Sequence, residues 1–278
     1  MVVLLRIGYY IMLVVMFFTG TFGYNIRSQK TKLDLSDYKL VWSDEFNSNK
    51  LDTTKWNVGS NQRRGGYWDG SQVFLKGGNL VIRTEYLENG TFGSGFYTGE
   101  VSTKKQWCKG YFEMRAIQLK ATGAWSAFWL MCDGATDETK GGKNGAEIDI
   151  VESPYSTSAF AKERVQSAIC YDGYGANYVR STAAMPKVTT GDGSIYETYH
   201  TYGCMWTDNE YIFYIDGVET GRTSLGGISE VMEQIVLSGE VGGSGGVPGS
   251  DWAFVGKTTD KHLCTDFIID YARVYQVK

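Results

Sequence analysis

The sequence predicts an all-β protein, an antiparallel sandwich in one large domain, and three observations predict it. Beyond residue 40, short runs of alternating apolar and polar residues recur, each bounded by Gly, Asn, Asp or Ser. No apolar repeat of helical period is sustained over several turns. The chain has 278 residues with 35 glycines and only 3 prolines. That length suits one large sandwich, and the glycines suit its many tight turns.

In order along the chain, NLVIRT (79–84) has strand character. GYFEMRA (110–116) sets Phe112, Met114 and Ala116 on one face and Glu113 and Arg115 on the other. EYIFYIDG (210–217) ends in Asp216-Gly217, a hairpin turn signal. SEVMEQI (229–235) reads as one or two helical turns, and GEVGGSGGVPGS (239–250) as a loop. DFIIDYARVYQ (266–276) is the last strand. Internal repeats, linkers and low-complexity tracts are not evident.

The first residues stand apart. Arg6 precedes an apolar run from Ile7 to Phe18, and small residues follow. This is the pattern of a signal peptide over 1–23, with the small residues Thr21 and Gly23 three and one positions before a cut ahead of Tyr24. The alternative is an uncleaved anchor helix. A cleaved signal implies export, secreted or periplasmic, with no stable membrane partner. Residues 24–39 form a polar lead-in and 40–278 the folded domain. The net charge of −4, with no basic block, argues against nucleic acid and suits a neutral partner such as a glycan. A monomer is expected. Five cysteines allow two disulfides and one thiol, or five free thiols; none forms a CxxC pair that would suggest zinc.

The most informative segment is GAEIDIVES (145–153). In a strand Glu147 and Asp149 share one face, Ile148 and Ile150 the other. Three acids within six residues are costly on a core strand, so this strand covers a cleft. Plain alternation, however, would send Glu152 into the core and Val151 into the cleft. One extra residue, a β-bulge near Ile150–Val151, corrects both. The two glutamates could then approach the roughly 5–5.5 Å that suits retaining glycoside hydrolysis. On this reading Glu147 is the nucleophile, Glu152 the acid/base, and Asp149 a helper that orients the nucleophile. Taken alone, the same spacing also fits an exposed acidic strand or a cation site.

Rival motifs carry less. GGSGG (242–246) fits G-x-S-x-G but lacks the strand-turn-helix context of a nucleophile elbow. The two histidines, His200 and His262, stand in no metal-ligand spacing. Asn89-Gly90-Thr91 is a glycosylation acceptor, meaningful only in a eukaryotic host.

With these segments in order, the chain resembles glycoside hydrolase family 16 from about Tyr38 to its end. EIDIVE is similar to that family's E-x-D-x-x-E signature in its bulged, laminarinase-like form. LVWSDEFNSNKLDTTKWN (40–57), GGNLVIRT (77–84), GYFEMR, GAWSAFWLM (123–131), YHTYGCMWTDNEYIFYIDG (199–217) and DFIIDYARVYQ resemble its other segments, in the same order. The resemblance implies a concanavalin-like jelly roll with a concave cleft crossed by the glycan. It assigns Glu147 as nucleophile and Glu152 as acid/base, and places Trp125 and Trp129 in the sugar subsites, where aromatic faces stack on sugar C–H faces; either could instead fill the core. RRGGYWDG (63–70) matches no family segment; Arg64, Tyr67, Trp68 and Asp69 are candidate substrate contacts or an exposed loop, and Tyr155, just past the motif, is a further candidate contact. Catalysis needs no cofactor; a structural calcium would sit at Glu45, Gly78 and Asp270.

One departure stands out: SAICYDGYG (167–175) has Cys170 where relatives often carry histidine. The expected activity is endo-hydrolysis of internal β-linkages, foremost in β-1,3- or mixed β-1,3/1,4-glucan. The alternatives are an endo-β-galactosidase on agar-, carrageenan- or mucin-type glycans, a transglycosylase, or a noncatalytic glycan-binding module.

Overall fold

A computed structural model describes residues 31–138, 140–158, 161–188, 194–251 and 256–278. The expected signal peptide and the first part of the lead-in lie outside the described residues. Two sheets, of eleven and seven strands, pack face to face as a jelly-roll sandwich. Among the described residues the strands pair antiparallel, apart from Gly66–Trp68 against Gly93–Thr98 and an isolated parallel bridge of Thr122 with Tyr155.

The alternation expected from sequence is what packs the sheets together. Gly110–Ile117 lies between His200–Trp206 and Cys264–Val277 and turns Phe112, Met114 and Ala116 into the core. From the facing sheet come Phe128, Leu130, Ile148, Ile169 and Leu237, all fully buried. Each such aliphatic or aromatic side chain contributes about 1.5–3 kcal/mol on leaving water. Asp216 (φ 50) and Gly217 (φ 70) both adopt the left-handed conformation of a tight hairpin between Tyr211–Ile215 and Val218–Thr223.

Two local expectations are overturned. SEVMEQI forms no helix: Glu233 begins the strand Glu233–Val241, whose pairing with Glu100–Trp107 outweighs a helical pattern too short to sustain itself. The stretch 239–250 is not all loop either. Its first residues complete that strand, and Gly243–Ser244 pairs with Val247–Pro248 around Gly245 and Gly246, both at positive φ. All five cysteines are free thiols, so the disulfide alternative falls away.

The seven-stranded sheet carries the site. Its order is Val179–Ala184, Gln166–Tyr171, Glu147–Pro154, Ala124–Met131, Glu233–Val241, Glu100–Trp107, Trp56–Val58. The acidic strand and the tryptophan-rich strand are therefore neighbours near its middle.

Candidate active site

A bulge delivers the three carboxylates to one face. Glu147, Ile148 and Asp149 pair with Cys170, Ile169 and Ala168, but the next pair is Glu152 with Gln166. Three steps on the acidic strand thus match two on its neighbour. On the other side Phe128 faces Val151 and Trp129 faces Asp149, which passes over Ile150. Ile148, Ile150 and Val151 all enter the core, while Glu147, Asp149 and Glu152 line the cleft. The bulge falls where the acid spacing requires it.

The cluster is crowded and largely dry. One oxygen each of Glu147 and Asp149 and the Cys170 sulfur lie within 4.8 Å of one another. Asp149 is 3% exposed. Burial, then repulsion from Glu152 and Glu147, holds its carboxyl well above the usual range, against the pull of Arg180. A proton on Asp149 removes its own repulsion with Glu147 and Glu152. Burial and the nearby Asp149 also raise the Cys170 thiol, so it remains protonated. Its Sγ lies 3.7 Å from Asp149 Oδ2 and accepts from the Tyr178 hydroxyl at 3.1 Å. It is a packing and hydrogen-bonding group, not a nucleophile.

Each glutamate has a partner of its own. The Tyr174 hydroxyl donates to Glu147. Arg180 donates through Nη2 to Glu152 Oε2, which also accepts from Gln166 Nε2 at 3.2 Å. The same Nη2 stands 3.6 Å from Asp149 Oδ2.

Across the acidic strand the cleft is walled by Trp125 and Trp129, as expected from sequence, and by Arg63, Arg64 and Glu240. Trp129 is half-buried, with its indole N–H on Ser238 Oγ at 3.2 Å. Trp125 is deeper, and the Arg64 guanidinium lies 5.3 Å from its ring. Glu240, 3% exposed, is raised by burial and held by Arg63 at 3.1 Å and Arg64 at 3.4 Å. Arg64 also reaches Asp251 at 3.2 Å.

Two candidates fall outside the cleft wall. Trp68 is buried behind it, bonded to the Gly239 carbonyl at 2.9 Å, and serves as the platform for the Arg63 guanidinium. Tyr155 follows the end of its strand and packs edge-on against Tyr196, with its ring on the core. Sequence reasoning passed over four residues that the fold brings in. Arg63 and Tyr174 stood in segments already singled out, next to Arg64 and after Cys170; Glu240 and Arg180 carried no local signal.

The pairings of Asp44 with Ala272 and of Leu80 with Ile269 draw Glu45, Gly78 and Asp270 toward one corner. There Arg273 takes both oxygens of Glu45, and Arg115 bonds Asp270 at 2.6 Å. With each carboxylate already facing a guanidinium, the donor set as arranged does not fit a calcium ion.

A jelly roll with paired glutamates and a third acid on a cleft floor, beside a strand carrying two tryptophans, is the architecture of a glycoside hydrolase. The comparisons with known proteins agree. The family model for the GH16 domain of β-porphyranases A–D matches residues 39–233. The keratan-sulfate endo-1,4-β-galactosidase of Sphingobacterium multivorum is 28% identical over 89% of this chain and 57% of its own length. The glucan endo-1,3-β-glucosidase of Cryptopygus antarcticus is 29% identical over 64% of this chain and 66% of its own. The laminarinase catalytic domain of Thermotoga maritima MSB8 superposes with a TM-score of 0.69 at 22% identity, covering 87% of this chain and 100% of that one. The chain belongs to glycoside hydrolase family 16, and it spans little more than half the length of the keratan-sulfate relative.

Proposed function

We propose that the protein cleaves internal β-linkages by double displacement with retention, and the bulge that sets Glu147 and Glu152 on one cleft face carries this reading. Glu147, oriented by Tyr174, attacks the anomeric carbon as the bond to the leaving sugar breaks. Glu152 gives its proton to the leaving oxygen. It then takes a proton from water, whose oxygen displaces Glu147 from the sugar. Asp149, holding a proton between them, limits the negative charge in the site. The floor lies in an open cleft, which suits binding in mid-chain, and Trp125 and Trp129 supply stacking faces.

Two substrate readings follow. The glucanase relative supports β-1,3- or mixed-linkage glucan. The porphyranase model, the keratan-sulfate relative and the three arginines at the cleft support a galactose-containing polysaccharide, and we favour the latter. Export through the N-terminal segment and a monomeric state belong to the same proposal.

The test is to express residues 24–278 and the Glu147→Gln variant and offer both laminarin, lichenan, keratan sulfate and porphyran, sizing the products. Oligosaccharides from the parent and none from the variant support the mechanism, and the polymer that is cut decides the substrate. Binding without cleavage by the parent overturns the hydrolase reading.

A further inference from the structure

The cleft wall across from the acidic strand is organised around one buried carboxylate. Glu240 lies opposite Trp125 on the neighbouring strand, and its side chain lines the cleft instead of entering the core. A carboxylate taken out of water is costly unless charges and hydrogen bonds match it. Arg63 Nε bonds both of its oxygens, at 3.3 and 3.1 Å, and Arg64 Nε stands 3.4 Å away. The Ser238 hydroxyl donates to it at 3.3 Å. Successive strand residues ordinarily point to opposite faces. The backbone leaves that alternation at Arg64, whose φ of 52 begins the hairpin turn between Arg63 and Gly66, and both side chains reach the same carboxylate.

From Glu240 two arms extend toward the space a glycan would fill. The first is Arg63. Its Nε is spent on Glu240 and its guanidinium lies 4.8 Å from the centre of the Trp68 ring, so two contacts fix its plane. It lines the cleft together with Glu147, and its Nη groups bond nothing among the described residues. The second arm is Trp129. Ser238 Oγ accepts from the indole N–H at 3.2 Å while it donates to Glu240, so the carboxylate orients the hydroxyl and, through it, the ring. A sugar ring can use both arms at once: its hydroxyl oxygens accept from a guanidinium, and its C–H face stacks on an indole.

Resting on the hydrolase reading, and on neither substrate in particular, we propose that Glu240 is the positioning residue of this wall. It presents the unspent Nη donors of Arg63 to hydroxyl oxygens of a bound sugar whose ring lies on Trp129. Arg63 and Trp129 make the contacts, and Glu240 acts through them. Arg64 has a second anchor in Asp251 at 3.2 Å and depends on Glu240 less. Fixing the arms before the glycan arrives removes the cost of ordering a long side chain on binding.

The experiment measures kcat and KM for the parent, Arg63→Gln, Ser238→Ala, Glu240→Gln and their combinations. The substrate is whichever of laminarin, lichenan, keratan sulfate and porphyran the parent cuts. Arg63→Gln is expected to raise KM about tenfold, the worth of a bond from a charged donor, and Ser238→Ala about threefold, with kcat little changed. Glu240→Gln releases both arms and should raise KM about thirtyfold. Added to the double variant of Arg63→Gln and Ser238→Ala, it should cost no more than about twofold. The role is overturned if Glu240→Gln leaves KM unchanged, or if it weakens the double variant by the same factor as the parent. Should Glu240→Gln not fold, the single variants decide: a raised KM in both supports the two arms, and an unchanged KM in either overturns the proposal. If the parent binds one of these polymers and cuts none, the hydrolase reading fails. The same variants, read as Kd on that polymer, then test the wall against the same ratios.

Discussion

Glu233 allows the linkage between pH and folding to be read at a single buried group. It opens the strand Glu233–Val241 and is fully buried. One oxygen accepts from the Ala146 N–H at 3.2 Å, the amide just before Glu147. The other faces the buried side chains of Ser229 and Cys132. Burial outweighs the hydrogen bonds around it and pushes the carboxyl up to about 8, from an ordinary 4.5. The fold thus retains a proton that the unfolded chain releases as pH rises past 4.5. Below that pH the group contributes nothing. Above it, stability falls by about 1.4 kcal/mol per pH unit and levels off past pH 8, an upper bound of about 5 kcal/mol in all. Against a typical total of about 5–15 kcal/mol, that is a large share. Glu233→Gln keeps the shape, leaves an amide N–H₂ to face Ser229, and has no proton to lose. Urea denaturation of both proteins at about pH 5 and about pH 8.5 measures the effect. The parent should lose several kcal/mol more than the variant between the two conditions. Glu100, pushed up to about 7 by burial, and Asp149 and Glu240 titrate in both proteins and cancel in the difference. Equal losses would refute a neutral buried Glu233.

Other outcomes follow from the same geometry. Tyr174→Phe removes the hydrogen bond to Glu147 and should lower kcat about 10- to 100-fold, the worth of a bond to a charged group, with KM little changed and melting unaffected, since Tyr174 is exposed. Trp129→Ala removes a stacking face and should lower kcat/KM about tenfold, mainly through KM, in a steady-state assay on the polymer that is cut. Deleting Ile150 removes the bulge and lets Val151 take its place in the core, so plain alternation keeps Glu152 on the cleft face one step nearer Glu147; product formation, followed by sizing the oligosaccharides, should fall less than in Glu152→Gln.

What could be read in the sequence was fixed by residues close together along the chain. Phe112, Met114 and Ala116 alternate within one strand, and the misfit of Glu152 with Ile148 and Ile150 is visible within six residues, so both the core face and the bulge could be derived. The expectations that failed or fell short depended on partners distant in sequence. SEVMEQI is a strand entry because Trp107 pairs with Glu233. Trp68 leaves the cleft wall because the Gly239 carbonyl, far along the chain, claims its indole N–H. Arg180 had no local signal at all. It reaches the acids because Cys170 pairs with Glu147 on one side and with Arg180 on the other, so three adjacent strands present one face of side chains. Net charge could not reveal this, because it sums over the whole surface. A chain with a net charge of −4 can still set three guanidiniums against the carboxylates of one site, because local pairing, not the sum, places them.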